Sequence, residues 1–261
     1  MLLVANDMIE PIVDLGEAQD CLTTLFDQPD LSCAVLTGAG ISTDSGIPDF
    51  RSPGGIWSKR QPVQFQDFVQ SGESRREDWQ RRFEMLDIFE KAEPNAAHRF
   101  LVDLEQAGKL ELLITQNVDG LHQRAGTSTE KLVELHGNST YATCLDCGKR
   151  HELEPLRPLV AAGESPKCSA CNGLLKAAVV SFGQQMPMKK LQHAARVAAS
   201  IDVFLVIGSS LVVYPAAELP VIAAEAGATL VIVNGEETPI DALADHILRT
   251  RIAKTFEKIT I

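Results

Sequence analysis

The chain has 261 residues, 45% hydrophobic and 23% charged, and 35 Asp plus Glu against 24 Lys plus Arg give a formal charge of -11. That length allows one large core with a small insert, and the composition is that of a globular protein rather than a disordered one. With no basic run to offset it, the acidity disfavours direct nucleic-acid binding, and no apolar stretch reaches the roughly 18 residues of a membrane span.

Taken in chain order, Ile12, Leu15, Ala18, Leu22 and Leu25 fall at helical spacing and predict a helix over residues 9–26, closed by Pro29. Residues 33–36 read as a buried strand, and Gly38 and Gly40 after it allow a sharp turn and close approach to a ligand. Phe65, Phe68, Trp79, Phe83, Leu86 and Phe89, set among many charges, predict several short amphipathic helices over residues 58–92. Pro94 and Asn95 open a further helix with Ala97, Leu101 and Leu104 on one face and Gly108 as its stop; His98 on it reads as structural. Residues 112–114 form a second buried strand that delivers 115–122 at its C-terminal end, and 132–135 a third that ends at His136. Residues 179–182, 203–207 and 230–233 are further strand candidates, separated by alanine-rich helical patterns over 188–200 and 214–226. Strands alternating with helices predict an α/β fold, a parallel sheet covered by helices on both faces.

Four of the six cysteines lie as Cys144-x-x-Cys147 and Cys168-x-x-Cys171 with twenty residues between the pairs. This spacing places four thiolates around one zinc, and a site closed by four sulfurs is structural, since no position is left for a substrate. Cys21 and Cys33 fall in a predicted helix and strand and read as buried free thiols. Residues 1–20 carry acids and no Lys or Arg, unlike a secretory signal or transit peptide, so a reducing, cytoplasmic setting is expected.

Gly38-Ala39-Gly40 does not extend to the dinucleotide fingerprint, because Thr43 stands where its third glycine would be. Asp49, Phe50 and Arg51 follow in a loop with Pro53, Gly54 and Gly55. Singly, each feature has a plain reading: Asn117 and Asp119 as turn caps, Gly208-Ser209-Ser210 as a strand-to-helix turn, His136 as a core histidine. Together they fall at strand C-terminal ends, where open α/β sheets bind ligands.

In this order, Gly38-Ala39-Gly40-Ile41-Ser42, Gly46-Ile47-Pro48-Asp49-Phe50-Arg51, Thr115-Gln116-Asn117-Val118-Asp119-Gly120-Leu121-His122, Leu135-His136-Gly137, the two cysteine pairs, Phe182-Gly183 and Gly208-Ser209-Ser210-Leu211 resemble the motifs of the sirtuins, NAD-dependent protein deacylases, over about residues 10–256. Residues 60–83 look most like the branch that contains the class II and bacterial members. The resemblance implies a Rossmann-type NAD domain (1–57, 93–137 and 178–261) and a small domain made of a helical lobe (58–92) and a zinc module (138–177). An acyl-lysine protein or peptide would bind between them, to a monomer.

The resemblance also implies roles. Gly38, Ala39, Gly40 and Arg51 would meet the phosphates and ribose of NAD, and Phe50 would shield the reacting ribose carbon. Gln116, Asn117 and Asp119, with Asp49 nearby, would hold the ribose and the nicotinamide carboxamide. Gly208, Ser209, Ser210 and Asn234 would fix the adenosine ribose, with Gly235, Glu236 and Ala253 flanking the adenine. Val180, Phe182 and Gly183 with Val212, Val213 and Tyr214 would grip the substrate as an added strand. His136 would serve as general base, with Asn117 and Asp119 in the catalytic set, and the products would be nicotinamide, O-acyl-ADP-ribose and free lysine. Gln184 stands where the family usually has glutamate. The lobe has no Tyr-x-x-Arg pair, because the only tyrosines are Tyr141 and Tyr214, and this disfavours succinyl substrates. The alternatives are ADP-ribosyl transfer to protein on the same fold, an idle NAD sensor, and a nicotinamide dehydrogenase.

Overall fold

Short runs of β-branched and apolar residues without polar alternation need cover on both faces, and here they pair in parallel. The computed structural model describes residues 9–52, 55–56, 61–259 and 261. Strands β1 (Cys33–Thr37), β2 (Leu110–Thr115), β3 (Leu132–Glu134), β7 (Val203–Ile207), β8 (Thr229–Val233) and β9 (His246–Leu248) form one parallel sheet in the order β3-β2-β1-β7-β8-β9. Successive side chains point to opposite faces. Ala34, Leu36, Phe204, Val206, Leu230 and Ile232 meet α7 (Met188–Ala198) and α8 (Leu219–Glu225), whereas Val35, Leu205, Ile207, Val231 and Val233 meet α1 (Leu15–Phe26), α4 (Ala96–Gln106) and α9 (Ile252–Thr255).

A second, antiparallel sheet in the order β5-β4-β6 is made of β4 (Gly137–Cys144), β5 (Arg150–Glu152) and β6 (Leu175–Val179). The helices α2 (Phe65–Gln70) and α3 (Gly72–Lys91) pack on it: Phe68, Trp79, Phe83 and Leu86 share one core with Ala142, Leu153, Leu156, Val160 and Leu175. The remaining helices are α5 (Leu121–Ala125), on the loop after β2, and α6 (Arg157–Ala161). Among the described residues no helix is long and apolar enough to cross a membrane.

Several elements differ from expectation. The first helix starts at Leu15, not residue 9, because Asp14 caps it by accepting from Glu17 N–H, while Ile12 pairs with Leu248 at the edge of the parallel sheet. In place of several short helices the lobe has α2 and the 20-residue α3, capped by the Ser71 hydroxyl accepting from Ser74 N–H. Residues 179–182 are not a strand of the parallel sheet; the strand ends at Val179 and pairs with β4. The helix expected over 214–226 begins as a 3-10 turn at Ala216–Glu218 and becomes α-helical from Leu219. Pro53, Gly54, Trp57 and residues 58–60, part of the expected loop and lobe, lie outside the described residues.

Candidate active site

The chain runs from β1 outward to β3 on one side and from β7 outward to β9 on the other, so loops leaving the C-terminal ends of β1 and β7 mark the switch point of the sheet, where a crevice forms. Those two loops touch. Gly38 N–H donates to Ile207 O at 3.0 Å and Gly40 N–H to Gly208 O at 2.8 Å. A Cβ on Gly38 would lie 2.6 Å from Gly208 O, one on Gly40 2.8 Å from Gly208 Cα, and Gly208 itself has a φ of 64°. The atoms those side chains would strike thus belong to the facing loop; the glycines let two strand ends cross, which amends the expectation that they first serve a ligand.

A cavity of about 670 Å³ opens beside this crossing, within the range of ligand sites. It brings together the expected Gly38, Ala39, Gly40, Asp49, Phe50, Arg51, Gln116, Asn117, His136, Gly208, Ser209, Ser210, Asn234, Gly235 and Glu236 with Val180, Phe182, Gly183, Val213 and Tyr214. Three expected residues are not on its wall. Asp119 is buried behind it, Val212 is 48% exposed outside it, and Ala253 spends its N–H on Asp44 Oδ2 at 3.0 Å. Arg251 and Ile252 line the cavity instead, and the Arg251 guanidinium is held by Asp44 at 2.7 Å. The sequence carries no pattern that ties residue 44 to residue 251.

The polar groups at the strand ends are interlocked. Asn117 Nδ2 donates to Gly38 O at 3.1 Å and to Ser42 Oγ at 3.2 Å, and Ser42 Oγ in turn donates to Asp119 Oδ2 at 2.8 Å. Asp119 also accepts from Leu121 N–H at 2.9 Å, so its role in this geometry is to hold the loop after β2 through Ser42. Burial pushes the Asp119 carboxyl up, and the hydrogen bonds from Leu121 and Ser42 pull against that shift. Ser42 is a contact that sequence reasoning missed; it lies inside a quoted motif, but nothing in the sequence shows what it touches. Ser209 Oγ donates to Gln116 Oε1 at 2.7 Å, linking the β2 and β7 loops.

His136 follows β3, and its Nδ1 lies 3.0 Å from Gln116 O. A carbonyl only accepts, so Nδ1 carries the proton and the lone pair of the neutral ring sits on Nε2. Burial lowers the His136 pKa, with the Arg51 charge adding a little and the Gln116 hydrogen bond opposing. The ring is therefore held neutral, as a base must be to accept a proton.

Cys144, Cys147, Cys168 and Cys171 present four sulfurs that all lie within 4.8 Å of one another, with Cys144 to Cys171 at 3.5 Å and Cys147 to Cys168 at 3.7 Å. Four bonds of about 2.3 Å to one tetrahedral zinc require sulfurs about 3.8 Å apart, so the set fits zinc. Ala170 N–H and His151 Nε2 approach Cys168 Sγ at 3.4 and 3.3 Å, the kind of donors that hold a thiolate. In the second knuckle Asn172 takes a φ of 61°, and a Cβ at Gly173 beside it would lie 2.9 Å from Cys144 Sγ, so that position is closed to a side chain.

The model of the Sir2 family matches residues 38–215, which span the crossed loops, the cysteines and the far wall of the cavity. The chain belongs to the Sir2 family. It is 52% identical over 225 residues to the NAD-dependent protein deacetylase of Rhodopseudomonas palustris, covering 86% of this chain and 89% of that one. To NAD-dependent protein deacetylase 1 of Bradyrhizobium diazoefficiens it is 44% identical over 255 residues, covering 98% and 97%. A solved structure of Sir2 with a p53 peptide and NAD+ superposes with a TM-score of 0.82 at 37% identity, over 92% of this chain and 96% of that one. The sirtuin expectation and its bacterial leaning hold.

Proposed function

We propose that this protein removes acyl groups from protein lysine side chains in an NAD-dependent reaction, giving nicotinamide, O-acyl-ADP-ribose and free lysine. The observation that carries the reading is the His136 ring: with Nδ1–H tied to Gln116 O and Nε2 left as the base, it stands on the wall of one cavity with Gln116 and Asn117. NAD, when bound, supplies the ADP-ribosyl group that takes up the acyl group, with nicotinamide as the leaving group and one water consumed in freeing the lysine. Ala39, Arg51, Gln116, Asn117, Ser209, Ser210 and Asn234 are the residues that would hold it, and Arg51 contributes the cation suited to a pyrophosphate. Asp119 acts from behind the wall by fixing Ser42 and hence the Asn117 amide. His136 takes a ribose hydroxyl proton at Nε2.

The acyl-lysine segment would lie between Val180–Gly183 and Val212–Tyr214, where Phe182 (42% exposed) and Tyr214 (65% exposed) offer unshielded apolar surface beside the cavity. The helical lobe and the zinc module act as one small domain against the Rossmann-type part, consistent with their shared core. We further propose a cytoplasmic monomer with no direct nucleic-acid or membrane partner. His136→Ala is expected to keep zinc and NAD binding and to lose deacylation turnover. Deacylation by that variant near the parent rate would remove His136 from the role.

A further inference from the structure

Behind the cavity, two histidines that the reaction does not use are buried side by side. His98 on α4 is 0% exposed and His122 on α5 is 2% exposed, with ring centroids 5.0 Å apart. Among the described residues His98 Nε2 and His122 Nδ1 have no hydrogen-bond partner. Buried orphan polar atoms are costly enough to need a reason.

The hydrogen bonds around them determine where the protons sit. Asn95 N–H donates to His98 Nδ1 at 3.3 Å, so the neutral His98 ring carries its proton on Nε2, an orphan donor. His122 Nε2 lies 2.9 Å from Thr37 Oγ1, and Thr37 Oγ1 lies 2.8 Å from Thr115 Oγ1. If Thr37 donated to His122, the His122 proton would sit on Nδ1, leaving two orphan donors on adjacent buried rings. If His122 Nε2–H donates to Thr37 and Thr37 donates to Thr115, His122 Nδ1 becomes an acceptor beside the His98 donor. Only the second arrangement avoids setting two unpartnered donors on adjacent buried rings.

The line then continues to the base. Thr115 Oγ1 accepts from Asn117 N–H at 3.0 Å, and the carbonyl of that same peptide unit, Gln116 O, accepts from His136 Nδ1–H at 3.0 Å. A peptide unit is planar, so a bond that fixes its N–H also fixes its C=O.

We propose that His122, packed against the buried His98 ring, is a positioning residue: a neutral relay runs from it through Thr37, Thr115 and the Gln116–Asn117 peptide unit and sets both the orientation and the tautomer of His136. This rests on the deacylase reading only for its kinetic consequence. The chain of bonds itself can be observed without turnover.

The test uses the full chain with its zinc. Thr37→Val removes the hydroxyl that joins the two halves while keeping the shape, and Thr37→Ser restores it. Thr37→Val is expected to lower kcat by up to about 100-fold, the scale of a small misplacement of a reacting group, with KM for the peptide changed less than about threefold. Thr37→Ser should return most of the rate, and Thr37→Val combined with His122→Phe should be no slower than the worse single variant, because both cut one chain. In ¹⁵N spectra of the ring nitrogens, His98 and His122 should both be neutral with the proton on Nε2, and His136 should carry it on Nδ1 in the parent and lose that preference in Thr37→Val. A His122 proton on Nδ1, or a Thr37→Val protein with the parent kcat and an unchanged His136 tautomer, overturns the relay. If the parent releases no nicotinamide from any acyl-lysine peptide, the deacylase reading fails, and the spectra still decide the relay.

Discussion

His136 owes its character to one backbone carbonyl and to burial. Gln116 O holds the proton on Nδ1, and burial pulls the ring below the ordinary histidine pKa of about 6.5. Protonation of Nε2 removes the base, so activity falls as pH drops through the His136 pKa and not before. The acidic limb of kcat/KM is therefore expected below the free-histidine value, and replacing Arg51 by Gln should move it upward, since the nearby Arg51 charge disfavours a second cation on the ring. A pH profile of each protein with one acetylated peptide checks this; a limb above 6.5 in the parent would contradict it. Its position at a strand end left His136 readable as a core histidine, and the resemblance of Leu135-His136-Gly137 to a sirtuin motif is what selects it as the base. The sequence could not show the carbonyl 20 residues back that fixes the tautomer, nor the Ser42 hydroxyl between Asn117 and Asp119, because those contacts exist only once β1, β2 and β3 lie side by side.

At the scale of elements, β6 illustrates what a periodicity reading misses. Its apolar run resembles the buried strands of the parallel sheet, and only Lys176 marks it as different. Lys176 is 1% exposed: its Nζ donates to Val179 O and it lies 5.9 Å over the Phe68 ring, tying the end of β6 to the lobe helices. Burial pushes its pKa down to about 7, Arg82 on α3 pushes the same way and Asp78 opposes. Between about pH 7 and the usual lysine value of about 10.4 the unfolded chain binds a proton that the folded chain has shed, so this group makes stability rise with pH across that window. Denaturant titrations at pH 7 and 9 should show a smaller rise for Lys176→Met than for the parent; equal rises would show that Lys176 titrates normally. β4 was invisible for a related reason. Its Asn138 and Ser139 are turn formers by type, and its pairing with β6, shifted in register between Gly137 and Ala142, joins residues far apart in the sequence.

The cysteine spacing, by contrast, was fully legible, since four ligands at fixed offsets need no tertiary information to be recognised. Removing zinc should loosen β4, β5 and β6 together, because Cys144 ends β4 and Cys168 and Cys171 immediately precede β6. Since β6 leads into Val180–Gly183, peptide binding should suffer more than NAD binding. Calorimetry with NAD and KM with peptide, before and after chelation, separate the two; equal loss of both would mean that the zinc supports the parallel sheet as well.

For the whole molecule, the two layouts of strands divide the work. The parallel sheet is apolar on both faces, and the loops at its C-terminal edge carry Gln116, Asn117, His136, Ser209 and Asn234 to the cavity. Across the cavity from it stand Asp78, Arg82 and Met85 of α3 and Val179 at the end of β6. The position of the chain's last turn was not legible in the sequence, and Arg251 rather than Ala253 reaches the cavity because Ala253 N–H is taken by Asp44. Acyl choice belongs to this scale, since the space between the walls decides which chain fits.

The measurement that tests the account most directly is a mass-resolved product analysis of the purified protein with NAD and lysine peptides carrying acetyl, butyryl, myristoyl, lipoyl or succinyl groups. Nicotinamide release is expected to require the acyl group, with one O-acyl-ADP-ribose for each lysine freed and succinyl among the poorest substrates. NAD consumed at the same rate with unmodified peptide, or ADP-ribose found attached to protein with the acyl group still in place, would contradict it.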